Sequence, residues 1–358
     1  MRTEFNGKSV LLIGGCGFVG SHVTDEFLAH GWKVVILGQT PEKFRNPLPR
    51  VTYIAGRLGD TALLNATLSM GFDCVIHLAS STVPSSSNAD KPFDVRANLM
   101  ESIPLLDACV AHKVPKLVFA SSGGTIYGIP KHLPIKEDDA TDPICSYGIV
   151  KLAFEKYLQL YHQLHGLQYV VLRIANPYGP RQDPKHVQGV ISVFAGKMLT
   201  NTPITIWGTG QVVRDFIHVR DLARLFHAAA TSPFTGTFNA SSGMGISISE
   251  LLAIMIAEFG VMPQITRLPD RACDVPASVL SCEKAKSVFG WKPLISIERG
   301  IQEVGRWLVE DVLTAPLVAN RITLSAEIAA AHMDSRSTGL PYDLPLLDHG
   351  QTPISGSA

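Results

Sequence analysis

The stretch that decides the fold is SVLLIGGCGFVGSHVTDEFLA, residues 9–29. Ser9 to Ile13 form a mostly aliphatic run with no polar face, as a strand buried on both sides requires. Glycines follow at 14, 17 and 20, and a segment of helical period begins among them. In a strand, glycine turn and helix in this order, the chain bends tightly and a diphosphate can approach the helix N-terminus. Unsatisfied N–H groups and the helix dipole favour anions there. The same glycines would also serve a plain turn with close helix-sheet packing. Their place as the first strand-turn-helix unit of an alternating chain favours the dinucleotide reading.

Outward from this unit the alternation continues to about residue 174. Strands are expected at Lys33 to Leu37, Val51 to Ala55, Cys74 to Leu78, Lys116 to Ala120 and Tyr169 to Ile174. Helices are expected near 18–30, 60–69, 94–112 and 147–165. The pattern predicts an α/β fold, a Rossmann-type doubly wound parallel sheet with ligands at the carboxyl ends of its strands. After Pro180 the elements become shorter and mixed. This predicts a smaller α/β substrate lobe over 181–310 beside a dinucleotide-binding domain over 1–180, with the helix near 220–230 able to return to the first domain. Residues 311–358 read as a partly flexible extension, with a helix at about 317–331 and a Ser-, Gly-, Pro- and Asp-rich end from 334.

Composition excludes whole classes of function. Of 358 residues, 46% are hydrophobic and 17% charged, with mean hydropathy +0.18, enough apolar material to exclude an intrinsically disordered chain. Lys+Arg and Asp+Glu balance at 31 each, so no polycationic field argues for nucleic acid or an anionic membrane as partner. The N-terminus, with Arg2 and Glu4 before a short apolar run, is neither a secretory signal nor the roughly 18 apolar residues of a membrane span. A cytoplasmic protein is expected. The six cysteines show no CxxC spacing and are expected to be reduced. His162 and His165 lack a third ligand, so no metal is expected.

Tyr147 and Lys151 lie four apart in SYGIVKLAFEKYLQLYHQL, a segment of unbroken helical period, so both side chains share one face. An ammonium about 4 Å from a phenol, at an effective dielectric near 20, favours the phenolate by about 4 kcal/mol, or about 3 pK units before desolvation is subtracted. A tyrosine so placed serves as a base near neutral pH. Taken alone, the pair would be an amphipathic surface feature. Tyr127 and Lys131 have equal spacing, but Pro130 between them breaks any helix.

Together these residues resemble the extended short-chain dehydrogenase/reductase family, and within it the nucleotide-sugar epimerases related to UDP-glucose 4-epimerase. The resemblance covers about 8–310. Its motifs are GGCGFVGSH (14–22), VIHLAS (75–80), SSGGTIYG (121–128), YGIVK (147–151), LRIANPYGPRQ (172–182), WGTGQVVRDFIHVRDLA (207–223) and RACDVPASVLSCEKAKSVFGW (271–291). It implies an NAD cradle at Gly14, Gly17, Phe18, Val19 and Gly20, completed by Leu58, Leu78, Ala79, Asn98, Tyr147 and Lys151. Tyr147 would be the catalytic base, Lys151 would also hold the nicotinamide ribose, and a hydroxyl of Ser122 or its neighbours would bond the sugar oxygen. Arg214, Arg271 and Asn176 would hold the substrate diphosphate, with Asp274 positioning the nucleotide and Thr125 and Ser278 lining the sugar site. A guanidinium fork suits phosphate oxygens.

The chain departs from the family pattern in four places. Gly38 stands where NAD-preferring members carry an Asp at the end of the second strand, and Arg57, with Lys43 and Arg45 nearby, stands where an Asp lies near the adenine. NAD is expected, and NADP is not excluded. Gly123 occupies the usual serine position and Ser122 lies one earlier, so either the chain bulges at Gly123–Gly124 or another hydroxyl, Ser121 or Thr125, serves. The extension after 310 is not needed by the family fold. The Gly123, Gly124, Thr125 loop lacks the Asp-Glu pair of 4,6-dehydratases and the Glu of UDP-glucuronate decarboxylases, so the simplest chemistry is oxidation and reduction at one carbon. The expected enzyme is an NAD-dependent epimerase of UDP-hexoses or UDP-N-acetylhexosamines acting at C4. The alternatives are an NADPH-dependent 4-keto-sugar reductase and a catalytically weak nucleotide-binding scaffold. Apolar stripes at Leu99, Ile103 and Leu106 and at Leu152, Leu158 and Tyr161 suggest a homodimer.

Overall fold

The aliphatic run Ser9–Ile13 is strand β1, with Val10 to Ile13 fully buried, and α1 (Phe18–Ala29) follows directly on the glycine turn. The computed structural model describes residues 5–185, 188–269 and 275–312. Arg271, Asp274 and the expected helix over 317–331 lie outside them.

The chain continues through β2 (Lys33–Gly38), β3 (Val51–Ala55), α2 (Thr61–Leu68), β4 (Cys74–His77), the short α3 (Pro84–Ser87) and α4 (Lys91–Val95), and α5 (Ile103–Ala111). Next come β5 (Lys116–Ser122), the single turn α6 (Gly123–Ile126), the long α7 (Ser146–His165), β6 (Gln168–Ile174) and β7 (Asn176–Tyr178). Beyond these lie α8 (Val190–Leu199), β8 (Ile204–Trp207), β9 (Val213–His218), α9 (Val219–Thr231), β10 (Gly236–Ala240), β11 (Gly245–Ser247) and α10 (Ile248–Phe259). The last described elements are β12 (Ile265–Leu268), β13 (Ala277–Ser278), α11 (Glu283–Phe289), α12 (Ile297–Trp307) and a π-helical turn at Leu308–Val312.

Seven parallel strands form the main sheet in the order β10-β6-β5-β4-β1-β2-β3. This is the doubly wound Rossmann-type sheet expected from the alternation. Strand order reverses between β1 and β4, and open α/β sheets bind ligands outside the carboxyl ends of the strands at such a reversal. On one face an apolar cluster joins Val23 and Phe27 of α1 to Leu222, Leu225 and Phe226 of α9. On the other, Leu64 of α2, Leu105 and Leu106 of α5 and Phe154 and Leu158 of α7 cover the same strands. Packing on both faces explains why the strands read as continuous apolar runs rather than alternating ones. A separate cluster joins Phe194 of α8, Leu251 and Met255 of α10 and Ile301 and Val304 of α12.

Three expectations change. The helix anticipated over 94–112 is two helices, α4 and α5, joined through a π-helical turn at Arg96–Met100 and a bend. Pro104 sits in the first turn of α5, where its missing N–H costs nothing; in a continuous helix it would remove a bond. The seventh strand, β10, lies in a stretch not marked as a strand. The stripes offered for a dimer are also misassigned in part, because Leu106 and Leu158 are fully buried against the sheet. The outward face of α7 instead exposes Ile149, Tyr157, Leu160 and Leu164.

Candidate functional site

The site is built where β1 and β4 end. Gly14 has φ +86°, and a Cβ there would lie 2.9 Å from the backbone N of Ala79, just beyond β4. A Cβ on Gly20 would lie 2.3 Å from the Gly14 carbonyl oxygen. Only glycine permits either approach, so the turn and the first turn of α1 are pressed together. The N-terminus of α1 has no side-chain cap and no acidic residue in its first turn. An uncapped helix end over a glycine turn, at the point where strand order reverses, fits a dinucleotide diphosphate. Leu78 and Ala79 are half-buried at the end of β4, and Leu58 is half-buried beyond β3.

The departures around the second strand take a definite form. The Gly14 N–H donates to Leu37 O at 3.0 Å, so the end of β2 lies directly beside the glycine turn, with no side chain at Gly38. Arg45 is engaged by Asp25 and Glu42, and Arg57 pairs with Glu101 at 3.4 Å. Both arginines already face carboxylates.

Tyr147 and Lys151 share one face of α7, as their spacing requires. Lys151 is buried, and its Nζ donates to Ala120 O at 3.0 Å while lying 4.8 Å from the Phe119 ring centroid and 5.5 Å from that of Tyr147. The electrostatic expectation changes sign. Burial pushes the Tyr147 phenol up to about 12, with a hydrogen bond from Ser80 pulling the other way. Burial lowers Lys151 to about 8, against the raising influence of Asp94 and Glu155. The ammonium lies against the face of the phenol ring, and desolvation outweighs it.

After β5 the chain does not bulge at Gly123–Gly124; it enters the helical turn α6 at once. A Cβ on Gly123 would lie 2.3 Å from Leu280 Cδ1 and 3.1 Å from Arg173 O, so a serine there would need Leu280 to shift. Of the three hydroxyls, Ser121 is committed, donating to Glu155 Oε1 at 2.6 Å. Ser122 ends β5, half-buried, and Thr125 Oγ1 is buried with no hydrogen-bond partner among the described residues. Thr125 lies close to α7, since a Cβ on Gly148 would meet its carbonyl oxygen at 2.7 Å. Tyr127, the decoy, is buried and donates to Asn239 Oδ1 at 2.8 Å, which gives it a structural task.

Three of the expected substrate residues, Asn176, Arg214 and Ser278, lie on a second, small sheet. Strand β9 pairs with β7, β11 and β13, and Ser278 is the register partner of Arg214. Asn176 Nδ2 donates to Asp215 O at 2.8 Å, and Arg214 Nη1 donates to Val275 O at 2.7 Å. Ser122 pairs with Ile174 in the main sheet, and two residues later Asn176 opens β7. The chain thus leads from the hydroxyls of β5 to the Arg214–Ser278 pair. Asp215, fully buried, fixes β9 by accepting from the backbone N–H groups of Ser242, Gly243 and Leu280.

Asp94 escaped the sequence reading. Its carboxylate is fully buried and accepts from Thr82 Oγ1 at 2.5 Å, Asn98 Nδ2 at 2.8 Å and Ser146 Oγ at 2.6 Å. Asn98 in turn accepts from the Ser81 N–H at 2.7 Å, so its amide braces the loop after β4. The i, i+4 spacing of Asp94 and Asn98 is the one signal in the sequence that could have linked them.

Comparison with known proteins agrees with this geometry. The chain is 34% identical over 300 residues to a putative UDP-glucose 4-epimerase of Methanocaldococcus jannaschii, covering 84% of this chain and 98% of that one. A crystal structure of Thermus thermophilus UDP-glucose 4-epimerase in complex with NAD superposes with TM-score 0.80 at 34% identity, over 85% of this chain and 100% of that one. The UDP-N-acetylglucosamine 4-epimerase of Methanobrevibacter ruminantium, in complex with UDP-N-acetylmuramic acid, matches with TM-score 0.80 at 29% identity, over 84% and 98% of the two chains. Residues 10–240, which carry the glycine turn, the Tyr147/Lys151 helix and the Asn176 strand, match the family model for NAD-dependent epimerases and dehydratases, and the chain belongs to that family.

Proposed function

We propose that the protein is a nucleotide-sugar 4-epimerase that inverts C4 of a UDP-hexose or UDP-N-acetylhexosamine with NAD as its resident cofactor. The observation that carries this reading is the Tyr147/Lys151 pair on α7, with Lys151 bonded to Ala120 of β5, in a fold whose uncapped glycine turn stands at the reversal of the strand order and whose turn after β5 opens with Gly123, Gly124 and Thr125. Those three residues include no acid to move a second proton, which favours chemistry at a single carbon.

The chemistry NAD supplies when bound is reversible hydride exchange at the sugar C4 and, while oxidised, a positive charge. Tyr147 accepts the proton of the C4 hydroxyl as the C4–H electron pair leaves, giving the 4-keto sugar; after the sugar turns, Tyr147 returns the proton and the opposite face is reduced. With the protein's groups alone the phenol stands near 12, so its ionisation depends on added positive charge, and Lys151 keeps one cation in place. The Ser122 hydroxyl, or the unpartnered Thr125 Oγ1, holds the C4 oxygen. Arg214, Arg271 and Asn176 hold the diphosphate, with Asp274 positioning the nucleotide. Gly14, Gly17, Phe18, Val19 and Gly20 hold the cofactor diphosphate, and Leu58, Leu78, Ala79 and Asn98 line its cradle. Arg45 and Arg57 already face carboxylates, which supports NAD over NADP.

Tyr147→Phe tests the reading, because it removes the proton acceptor and little volume. Turnover is expected to fall at least about a thousandfold with cofactor affinity nearly intact. More than a few per cent of wild-type turnover in this variant would remove Tyr147 from the mechanism.

A further inference from the structure

We infer that Asp94 is a positioning residue for the reaction, whose buried carboxylate fixes the start of the Tyr147/Lys151 helix and stabilises the Lys151 ammonium. The inference rests on the epimerase reading, since it assigns work to that pair.

The positional half follows from the bonds. Asp94 joins three segments: Thr82 in the loop after β4, Asn98 in the π-helical turn and Ser146, the first residue of α7 and the neighbour of Tyr147. The same helix start is held by Ser87 Oγ, which accepts from the Tyr147 N–H at 3.1 Å, and by Asn88 Oδ1, which accepts from the Ser146 N–H at 3.0 Å. A hydrogen bond to a charged acceptor is shorter and stronger than a neutral one, so the Asp94–Ser146 contact is the firmest side-chain tie on this end.

The electrostatic half follows from what surrounds Lys151. From β5 it meets the Phe119 ring and Ala120 O, and on its own helix it meets the Tyr147 ring. His77 of β4 is also within electrostatic reach, but burial and the Lys151 charge hold it down to about 3, so it is neutral across the working range. Two acids act on Lys151, Asp94 and Glu155. Glu155 is already bonded to the Arg173 guanidinium at 2.8 Å, with both side chains buried. Asp94 is held by side-chain donors that are all neutral, a hydroxyl, an amide and a hydroxyl. A buried ion needs a counter-charge, and of the two acids Asp94 is the one whose charge is not spent on an arginine.

Asp94→Asn keeps the size of the side chain and removes the charge. Losing a negative charge lowers the pKa of every nearby group, so both limbs of the kcat/KM pH profile should move to lower pH, by about one unit. The acid limb moves because the Tyr147 phenolate forms more easily, and the alkaline limb because Lys151 gives up its proton more easily. A titration of lysine side-chain carbons by NMR should show the Lys151 midpoint moving the same way. A fall in rate with both limbs and the Lys151 midpoint unmoved would overturn the inference, because a purely structural role lowers the profile without shifting it. Ser146→Ala keeps the charge and removes one tie: kcat should drop about tenfold with KM and the limbs unchanged, and an unchanged kcat would overturn the positional half even if Asp94→Asn does not fold. Tyr147→Phe separates the two levels, since full activity in that variant removes the underlying mechanism, whereas a dead Tyr147→Phe with unmoved Asp94→Asn limbs removes only this inference.

Discussion

Ser278 is buried at 7% exposure beside Arg214, its register partner across β13 and β9, in the sheet that carries Asn176. By the family resemblance this position lines the sugar site, where a serine would leave room for an acetamido group and offer it a hydroxyl. Ser278→Tyr should cut turnover of UDP-N-acetylglucosamine at least about a hundredfold and leave UDP-glucose within about tenfold, because a packed pocket cannot absorb an aromatic ring. Equal losses on both sugars, in a paired kinetic assay, would remove Ser278 from the specificity site. Residues at this scale were legible where their meaning is local. The spacing of Tyr147 and Lys151 placed them on one face, and Pro130 correctly kept Tyr127 and Lys131 apart. Their electrostatics were not legible, because desolvation depends on the elements packed around them. Asp94 was hidden for a similar reason, since its bond to Ser146 spans 52 positions of sequence.

Helix α7 presents two faces. Val150, Phe154 and Leu158 are buried inward, while Ile149, Tyr157, Leu160 and Leu164 are exposed on a stripe of helical spacing, with Met100 exposed on the neighbouring π-helical turn. Such a stripe suits a second copy of the chain, packed through the α7 faces. A dimer is expected in sedimentation at micromolar concentration, and Leu160→Glu with Leu164→Glu should shift it to monomer; a wild-type monomer would remove the idea. Amphipathic period alone could not tell which residues covered the sheet and which faced outward, so Leu106 and Leu158 were assigned to the wrong side. The break between α4 and α5 was foreshadowed by Pro104, which was passed over in favour of the longer apolar period. Strand β10 was missed because Gly236–Ala240 (GTFNA) is short and lacks the β-branched run that marked the other strands of the sheet.

At the scale of the molecule, three histidines among the described residues are buried in the neutral form. Burial lowers His77 and His218 to about 3 and His22 to about 4. Each folded value lies below the ordinary 6.5, so between pH 6.5 and about 4 the unfolded chain binds protons that the folded chain does not. Stability is therefore full above pH 6.5 and is lost as pH falls, by up to about 1.4 kcal/mol per unit for each histidine. The melting temperature should already decline between pH 6.5 and 5, above the range where carboxylates titrate, and a flat value there would contradict these burials. Among the described residues no helix is long and apolar enough to cross a membrane. The doubly wound sheet was legible at this scale because strands buried on both faces cannot hide their apolar runs. The small sheet around β9 was not, since its strands are two to six residues long and its pairings join distant segments. The central claim is that one carbon is oxidised and reduced within a single cycle on a retained cofactor. Its most direct measurement is proton NMR of UDP-glucose incubated with the purified protein and no added reductant. The account predicts UDP-galactose accumulating to equilibrium over many turnovers with no net change in nicotinamide absorbance. Conversion that requires a stoichiometric supply of NADPH, or no C4 inversion of any UDP-hexose or UDP-N-acetylhexosamine by protein that holds NAD, would contradict it.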